Sequence, residues 1–339
     1  MRRRSFHTTF IRTLATLLSI VVVSSCAPNP PKTYTQDTKI LRYETSGFDL
    51  NVVELADALG YLENIKLHSV GRAQGGIDAI ESMKNDRTDF SIIPFNGLII
   101  TEVNSGFPIT AVAACSGTAG NTTSALLVRK DEDIMSVKDL VGKKIGMNNV
   151  GALGSAVLEL YFEQAGLTAA EIASIRLRPI PVDVIEQRLF QGQVDAIWVN
   201  DNIKQRALAL DQFTALAEDV DIIGHRNTGS VVVKQSLIDS DPEVVETLVN
   251  GIARALEFEQ THTSMEVREV YSDYLEDIGQ ASRIPAFTGW QSSGVTTTGG
   301  LMDAEDFQIW SEWAEQKLHV NAVDLSQVYT NEFNPYFRD

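Results

Sequence analysis

Cysteine is nearly absent from this 339-residue chain, which holds only Cys26 and Cys115. That excludes a disulfide scaffold and leaves too few thiols for a cysteine-built zinc site. Histidine is sparse too: His7, His68, His225, His262 and His319 lie far apart, none with a cysteine or carboxylate at metal spacing, so no metal site is expected. The sequence has no HExxH, no GxSxG, no GxGxxG after a strand and no GxxxxGK[ST]. These absences disfavour metallopeptidase, hydrolase and nucleotide chemistry, and no cofactor is expected. Positive charge is in short supply, with 28 Lys and Arg against 45 Asp and Glu and a formal charge of −17. So acidic a surface repels phosphate backbones, and no nucleic-acid partner is expected. What remains is ordinary for a globular chain, 44% apolar and 22% charged, and long enough for about two domains of roughly 100–200 residues.

The first residues read differently from the rest. Arg2, Arg3 and Arg4 precede a short apolar stretch from Leu14 to Val23, and the small residues Ser24 and Ser25 lead to Cys26. The stretch is too short to span a bilayer comfortably and has the layout of an export signal. Val23-Ser24-Ser25-Cys26 resembles a bacterial lipobox, so residues 1–26 are expected to be a lipoprotein signal with Cys26 as the lipidated residue. A plain secretory signal or a signal anchor is the alternative. Residues 27–37, opening Ala27-Pro28-Asn29-Pro30-Pro31, read as an extended tether. Cys115 closes the apolar run from Ile109 and is expected to be a buried small hydrophobe.

From Thr38 onward short apolar strands alternate with amphipathic helices, the pattern of α/β layers. Strands are expected at 39–43, 65–70, 90–93 and 109–115, with helices at 50–59, 77–83 and about 98–103 between them. A second series of the same kind follows, with strands at 125–129, 144–147, 175–179 and 194–199 and helices at 156–165 and 184–190. Beyond the strand at 230–233 the helices lengthen. One starts at Asp241-Pro242-Glu243 with proline in its first turn, and another carries Phe307, Trp310, Ala314 and Leu318. Two α/β lobes, the second inserted into the first, would leave a cleft facing strand ends and helix N-termini.

Four turns are rich in glycine and small polar residues: Ser46-Gly47-Phe48-Asp49, Gly71 to Gly76, Ser116 to Thr123, and Asn148 to Ser155. Each exposes backbone N–H groups that a following helix cannot satisfy, and helix N-termini favour anionic groups. Any α/β fold also needs glycine at tight turns, so a purely structural reading stays open. Asp49 and Asp201 could accept a ligand ammonium or cap helices; Arg72 and Arg226 are the basic candidates for an anion, or solvated surface. His225 reads as a surface residue and Asp195 as a strand-edge residue.

Several segments in order resemble one family. They are Glu54-Leu55-Ala56-Asp57-Ala58-Leu59-Gly60-Tyr61, then Gly75-Gly76 with Asp78-Ala79-Ile80, then Asp89-Phe90-Ser91, Leu126 to Asp131, Val137 to Gly146, Ala165-Gly166-Leu167, Gln191 to Ala196 and Tyr329 to Phe333. This set resembles the periplasmic substrate-binding proteins of ABC importers, in the nitrate, aliphatic sulfonate, taurine and thiamine-pyrimidine (NMT1/THI5-like) group, and spans about residues 38–337. The resemblance implies an α/β, type II periplasmic-binding-protein fold: two lobes joined by two hinge strands, with 38–123 and 226–339 forming lobe 1 and 124–225 forming lobe 2. It implies a non-enzymatic receptor, on the periplasmic or outer face of a membrane and attached only through its lipid. Such a receptor binds one small polar or anionic solute between the lobes and delivers it to an ABC permease. The ligand-binding residues expected are Ser46, Phe48, Asp49, Gln74, Gly75, Asn121, Asn149, Gly151, Trp198 and Asn200, with Phe48 and Trp198 as apolar walls. One departure stands out: where the family often has an aromatic-acid-Pro triplet, this chain has Asn200-Asp201-Asn202. The alternatives are a pyrimidine-processing enzyme of the same superfamily and a sensor lipoprotein with a degenerate cleft.

Overall fold

The computed structural model describes residues 37–46, 50–120 and 122–338. The expected signal, Cys26, the tether as far as residue 36, and the candidate site residues Phe48, Asp49 and Asn121 lie outside the described residues. The chain begins with β1 (Lys39–Thr45), α1 (Val52–Ala58), β2 (Ile65–Arg72), α2 (Gly76–Lys84), β3 (Phe90–Ser91), α3 (Asn96–Asn104) and β4 (Ile109–Gly117). It continues through β5 (Ala125–Arg129), β6 (Lys144–Met147), α4 (Leu153–Gln164), α5 (Ala169–Ser174), β7 (Arg176–Pro179), α6 (Ile185–Phe190), β8 (Ala196–Val199), α7 (Asp201–Leu208), β9 (Phe213–Glu218) and α8 (Asp219–Ile223). It returns with β10 (Asn227–Lys234), α9 (Gln235–Ser240), α10 (Pro242–Thr261), α11 (Ser264–Asp277) and α12 (Glu305–Leu318).

The two series build matching layers. One has the five-stranded order β7-β6-β8-β5-β9, in which β5 alone runs antiparallel to its neighbours. The other has the parallel pair β1-β2 and the triplet β3-β10-β4, in which β10 is the antiparallel member. The N–H of Asp89, just before β3, bonds the Arg42 carbonyl at 2.8 Å and joins the pair to the triplet. Each layer thus receives its antiparallel strand from the far side of a crossing. Two crossings connect the lobes, residues 118–124 and 224–226, and they are tied side by side. Thr118 N donates to Arg226 O at 3.1 Å, Arg226 N to Thr118 Oγ1 at 3.0 Å, and Thr118 Oγ1 to Gly224 O at 3.0 Å. Backbone also meets backbone nearby: a Cβ on Gly117 would lie 2.4 Å from Gly294 O and 2.8 Å from Arg226 O, so only glycine fits there.

Alternation on β5 shows how the second layer is packed. Leu126 and Val128 join the main core, while Ala125 and Leu127 join a separate cluster with Ile185, Leu189, Ile197 and Phe213. The longest helix, α10, has proline at its start and buries Val245, Leu248, Val249, Ile252, Ala255 and Leu256 along one stripe.

Helix α1 departs from a simple amphipathic reading, because it buries Glu54 together with Val53, Leu55 and Ala56. Asn51 caps it, its Oδ1 accepting from Val53 N at 2.8 Å and Glu54 N at 3.3 Å. Glu54 is satisfied by the hydroxyls of Tyr43 and Tyr271 and by Arg283, whose Nη1 and Nη2 lie 3.0 and 2.6 Å from its oxygens.

Five helices, α5, α7, α8, α9 and α11, and the strand β9 were not legible in the pattern. Helix α7 is polar in composition and buries Asp201, Asn202 and Lys204 beside Ile203 and Ala207. Helix α11 hides a stripe of Val267, Tyr271 and Leu275 among charges. Its capping box, Thr263 with Glu266, is the signal that marks its start.

Candidate functional site

Two adjoining cavities of about 180 and 260 Å³ lie between the lobes and share the walls Ile93, Ser116, Ser124, Leu153 and Asn200. The first is apolar in its body, with Phe95 and Ile93 on one lobe and Leu153, Val182, Ile185 and Trp198 on the other. Three amide side chains, Asn148, Asn149 and Asn200, line it as well. So do the starts of two helices, α2 at Gly75-Gly76 and α4 at Leu153-Gly154, neither capped by a side chain. Such helix starts offer backbone donors to a polar or anionic group.

Glycine sets the closeness of these walls. A Cβ on Gly75 would lie 2.3 Å from Asn149 Nδ2 across the cleft, so the two lobes touch there. A Cβ on Gly154 would lie 2.5 Å from Trp198 Cδ1, so the indole rests directly on the α4 backbone.

The second cavity carries more polar side chains than the first, beside an apolar share from Leu50, Val52, Ile92, Ile93 and Leu153. It is lined by Ser46, Asn51, Cys115, Thr123, Asp201, Asp219, Thr228, Trp290, Ser292 and Ser293, among others. Among the described residues lining either cavity there is no Lys or Arg. Arg226 is engaged in the hinge, where its Nε donates to Ile223 O and its Nη1 to Glu305 O at 3.0 Å. Arg72 is exposed at the end of β2 and His225 is exposed with Nδ1 2.8 Å from Thr118 O. Cys115, half-buried, forms part of this wall, and burial pushes its thiol up to about 12.

The expected residues divide as follows. Gly75, Asn149, Trp198 and Asn200 line the first cavity, and Ser46 and Asn200 the second. Gln74 is exposed and Gly151 sits at the lobe contact facing Ile77, and neither lines a cavity. The unusual triplet has a structural account. Asn200 caps α7, its Oδ1 accepting from Ile203 N at 3.2 Å. Asp201 accepts from Gln205 Nε2 at 3.0 Å and pairs with Lys204 at 3.3 Å. Asn202 accepts from Gly289 N at 3.0 Å and donates to Ala286 O, clamping the 281–297 segment onto α7. Asp195 accepts from Lys144 N at 2.7 Å, at the edge where β6 begins. Sequence reasoning passed over Phe95, Asn51, Asp219 and the segment Trp290-Gln291-Ser292-Ser293. A tryptophan set in a Ser- and Gly-rich stretch was the available signal for the last.

Two buried carboxylates flank the second cavity. Burial pushes Asp219 up to about 6, against the opposing pull of the Ser124 and Val220 N–H groups. Burial likewise pushes Glu259 up to about 7, although Ser293 N and Oγ donate to its Oε1 at 2.6 and 2.8 Å. The folded state therefore holds protons that the unfolded chain releases above about pH 4. Stability contributed by these groups is present below that pH and is lost as pH rises through about 6 and about 7. Glu259→Gln keeps the acceptor for Ser293 and removes the charge. It is expected to raise stability at pH 8 by about 2–3 kcal/mol while changing little at pH 5. Thermal melts of the two proteins across pH 5–8 check this; equal gains at both ends would contradict it.

Two lobes crossed twice, with a shared internal cavity, define a type II periplasmic-binding-protein fold. The chain belongs to the family described as NMT1/THI5 like, whose profile matches residues 51–263. A search of curated protein sequences found no match. Among solved structures the chain is similar to the ligand-binding component of an ABC-type import system from Staphylococcus aureus with zinc bound, at 14% identity and a TM-score of 0.67, covering 89% of this chain and 99% of that one. It is similar to the alkanesulfonate-binding protein SsuA of Xanthomonas axonopodis pv. citri bound to MOPS, at 17% identity and a TM-score of 0.64, covering 88% and 100%. It is also similar to the desulfurization enzyme DszB, at 15% identity and a TM-score of 0.61, covering 87% and 97%. One fold thus hosts both binders and an enzyme, and at these identities the likeness speaks to the fold alone. Among the described residues no helix is long and apolar enough to cross a membrane, and no cluster of His, Cys, Asp or Glu is placed to hold a metal.

Proposed function

We propose that this protein is an extracytoplasmic receptor that binds one small solute between its lobes and delivers it to an ABC permease. The observation that carries the reading is the interlobe cavity pair, to which both lobes contribute walls. A ligand touching both lobes is what a hinged closure requires, because only differential contact shifts the open–closed balance. Ser46, Gly75, Asn149, Trp198 and Asn200 are the expected residues that would touch it, with Trp198 as the apolar wall and the α2 and α4 starts as polar donors. The lobe boundaries proposed are 38–123 with 226–339, and 124–225, supported by the crossings at 118–124 and 224–226. Attachment through a lipid on Cys26, and residence on the periplasmic or outer face of a membrane, complete the proposal and rest on the sequence alone.

The likeness to DszB favours a second reading, an enzyme. The thiol on the cavity wall speaks for the receptor instead, since Cys115 pushed up to about 12 is protonated and poorly nucleophilic at neutral pH.

A thermal-shift screen with alkanesulfonates, taurine, nitrate and pyrimidines tests the receptor reading. A bound solute at a hundredfold excess over its Kd should add about 2.7 kcal/mol of stability. Conversion of a bound pyrimidine or sulfinate to a product would favour the enzyme.

A further inference from the structure

The second cavity joins two features that the receptor reading leaves unused. Asn51 is 2% exposed and lines this cavity, and its Nδ2 has no hydrogen-bond partner although its Oδ1 is fully engaged in capping α1. A buried amide donor left without a partner costs free energy that an acceptor on a ligand would recover. Asp219, 3% exposed, lines the same cavity. Its Oδ2 accepts from Ser124 N at 2.9 Å and its Oδ1 from Val220 N at 2.8 Å, the Ser124 side chain adds a further bond, and the carboxylate still keeps acceptor capacity for one more donor. The cation that acts on Asp219, Lys204, is buried and held by Asp201 at 3.3 Å, Glu218 at 3.5 Å and the Thr123 hydroxyl. Carboxylates outnumber cations around this cavity, and a bare anion entering it would meet like charge with nothing to balance it.

We propose that the second cavity is a head-group subsite for an amide-type solute, in which Asp219 accepts the head's N–H and Asn51 Nδ2 donates to its carbonyl-type oxygen. The apolar remainder of the solute lies in the first cavity against Trp198 and Phe95. The inference rests on the receptor reading and narrows it: a negatively charged group is admitted beside the helix starts of the first cavity and refused in the second. A site of this kind discriminates through the polar partners that a wrong head leaves unpaired.

Three probes of one skeleton test this in calorimetric titrations of the whole protein: 3-phenylpropanamide, 3-phenylpropanoate and 2-phenylethanesulfonate. The amide is expected to bind at least about tenfold tighter than either anion. Asn51→Ser keeps an oxygen to cap α1 and removes the amide donor. It is expected to weaken the amide about tenfold while leaving the melting temperature near that of the parent. Asp219→Asn removes the charge and is expected to narrow the amide-to-carboxylate ratio to about threefold or less. Equal affinities in the parent protein, or a preference for either anion, overturn the subsite and leave the receptor standing. An Asn51→Ser protein that is folded and binds the amide unchanged also overturns it. Absence of binding by these probes and by every solute of the thermal-shift screen overturns the receptor reading together with it.

Discussion

Arg283→Ala is expected to cost about 3–5 kcal/mol of folding stability, the usual penalty for stripping one partner from a buried ion pair. Glu54 is completely buried on α1, and Arg283 reaches it from the 281–287 turn with both terminal nitrogens. The two tyrosines bonding the same carboxylate cannot substitute for the cation. Burial, with Glu54 as the next contributor, holds both hydroxyls far above the ordinary phenol range, so they remain neutral donors. Removing the guanidinium leaves a charge in the core with only neutral partners. The double replacement Glu54→Leu with Arg283→Leu is expected to recover much of the loss, because no orphaned charge remains. Urea titrations of the single and double variants measure both. A single-variant loss below about 1 kcal/mol would mean that solvent reaches Glu54 and replaces the arginine.

The second large effect is steric. Gly154→Ala is expected to destabilise the protein by about 1–3 kcal/mol, because the added carbon meets the Trp198 ring in a packed wall. The three nearest atoms to that carbon, at 2.5, 2.8 and 3.2 Å, all belong to the indole. The ring can yield chiefly toward the first cavity, so solute affinity is expected to fall by about tenfold or more, equivalent to about 1.4 kcal/mol. Pairing Gly154→Ala with Trp198→Leu should relieve the clash, and a double-mutant cycle in thermal melts would show a large coupling between the sites. Additive effects would show that the strain is relieved elsewhere.

Much of the fold was readable because most of its strands and seven of the twelve α-helices among the described residues are marked by apolar periodicity, with shifts of a few residues at the ends. The strand β9 and the short or polar helices α5, α7, α8, α9 and α11 carry too little of that pattern to be seen. Helix α4 begins at Leu153, three residues before its expected start, since Gly154 and Ser155 lie inside the helix and not in the turn. What the pattern could not show is which polar residues are buried. Glu54, Asp219 and Lys204 look like solvated charges in sequence, and only the approach of distant elements makes them interior. The site shares this asymmetry. Gly75, Asn149 and Trp198 lie on turns or strands flagged by local composition. Asn51 and Ser293 reach the cavity through contacts between segments more than 200 residues apart, which one sequence does not encode locally. The Asn200-Asp201-Asn202 triplet, a departure from the family's usual pattern, caps α7 and fastens the 281–297 segment to the second lobe.

The placement of the aromatic rings has an optical consequence. Of the four tryptophans, Trp198 lines the first cavity and Trp290 the second, while Trp310 and Trp313 pack edge-on against Phe95, itself a wall of the first. Every intrinsic fluorophore of the indole type therefore borders the interlobe space or lies one ring behind it. Occupancy and lobe closure should be visible in the emission of the unlabelled protein, with no dye attached.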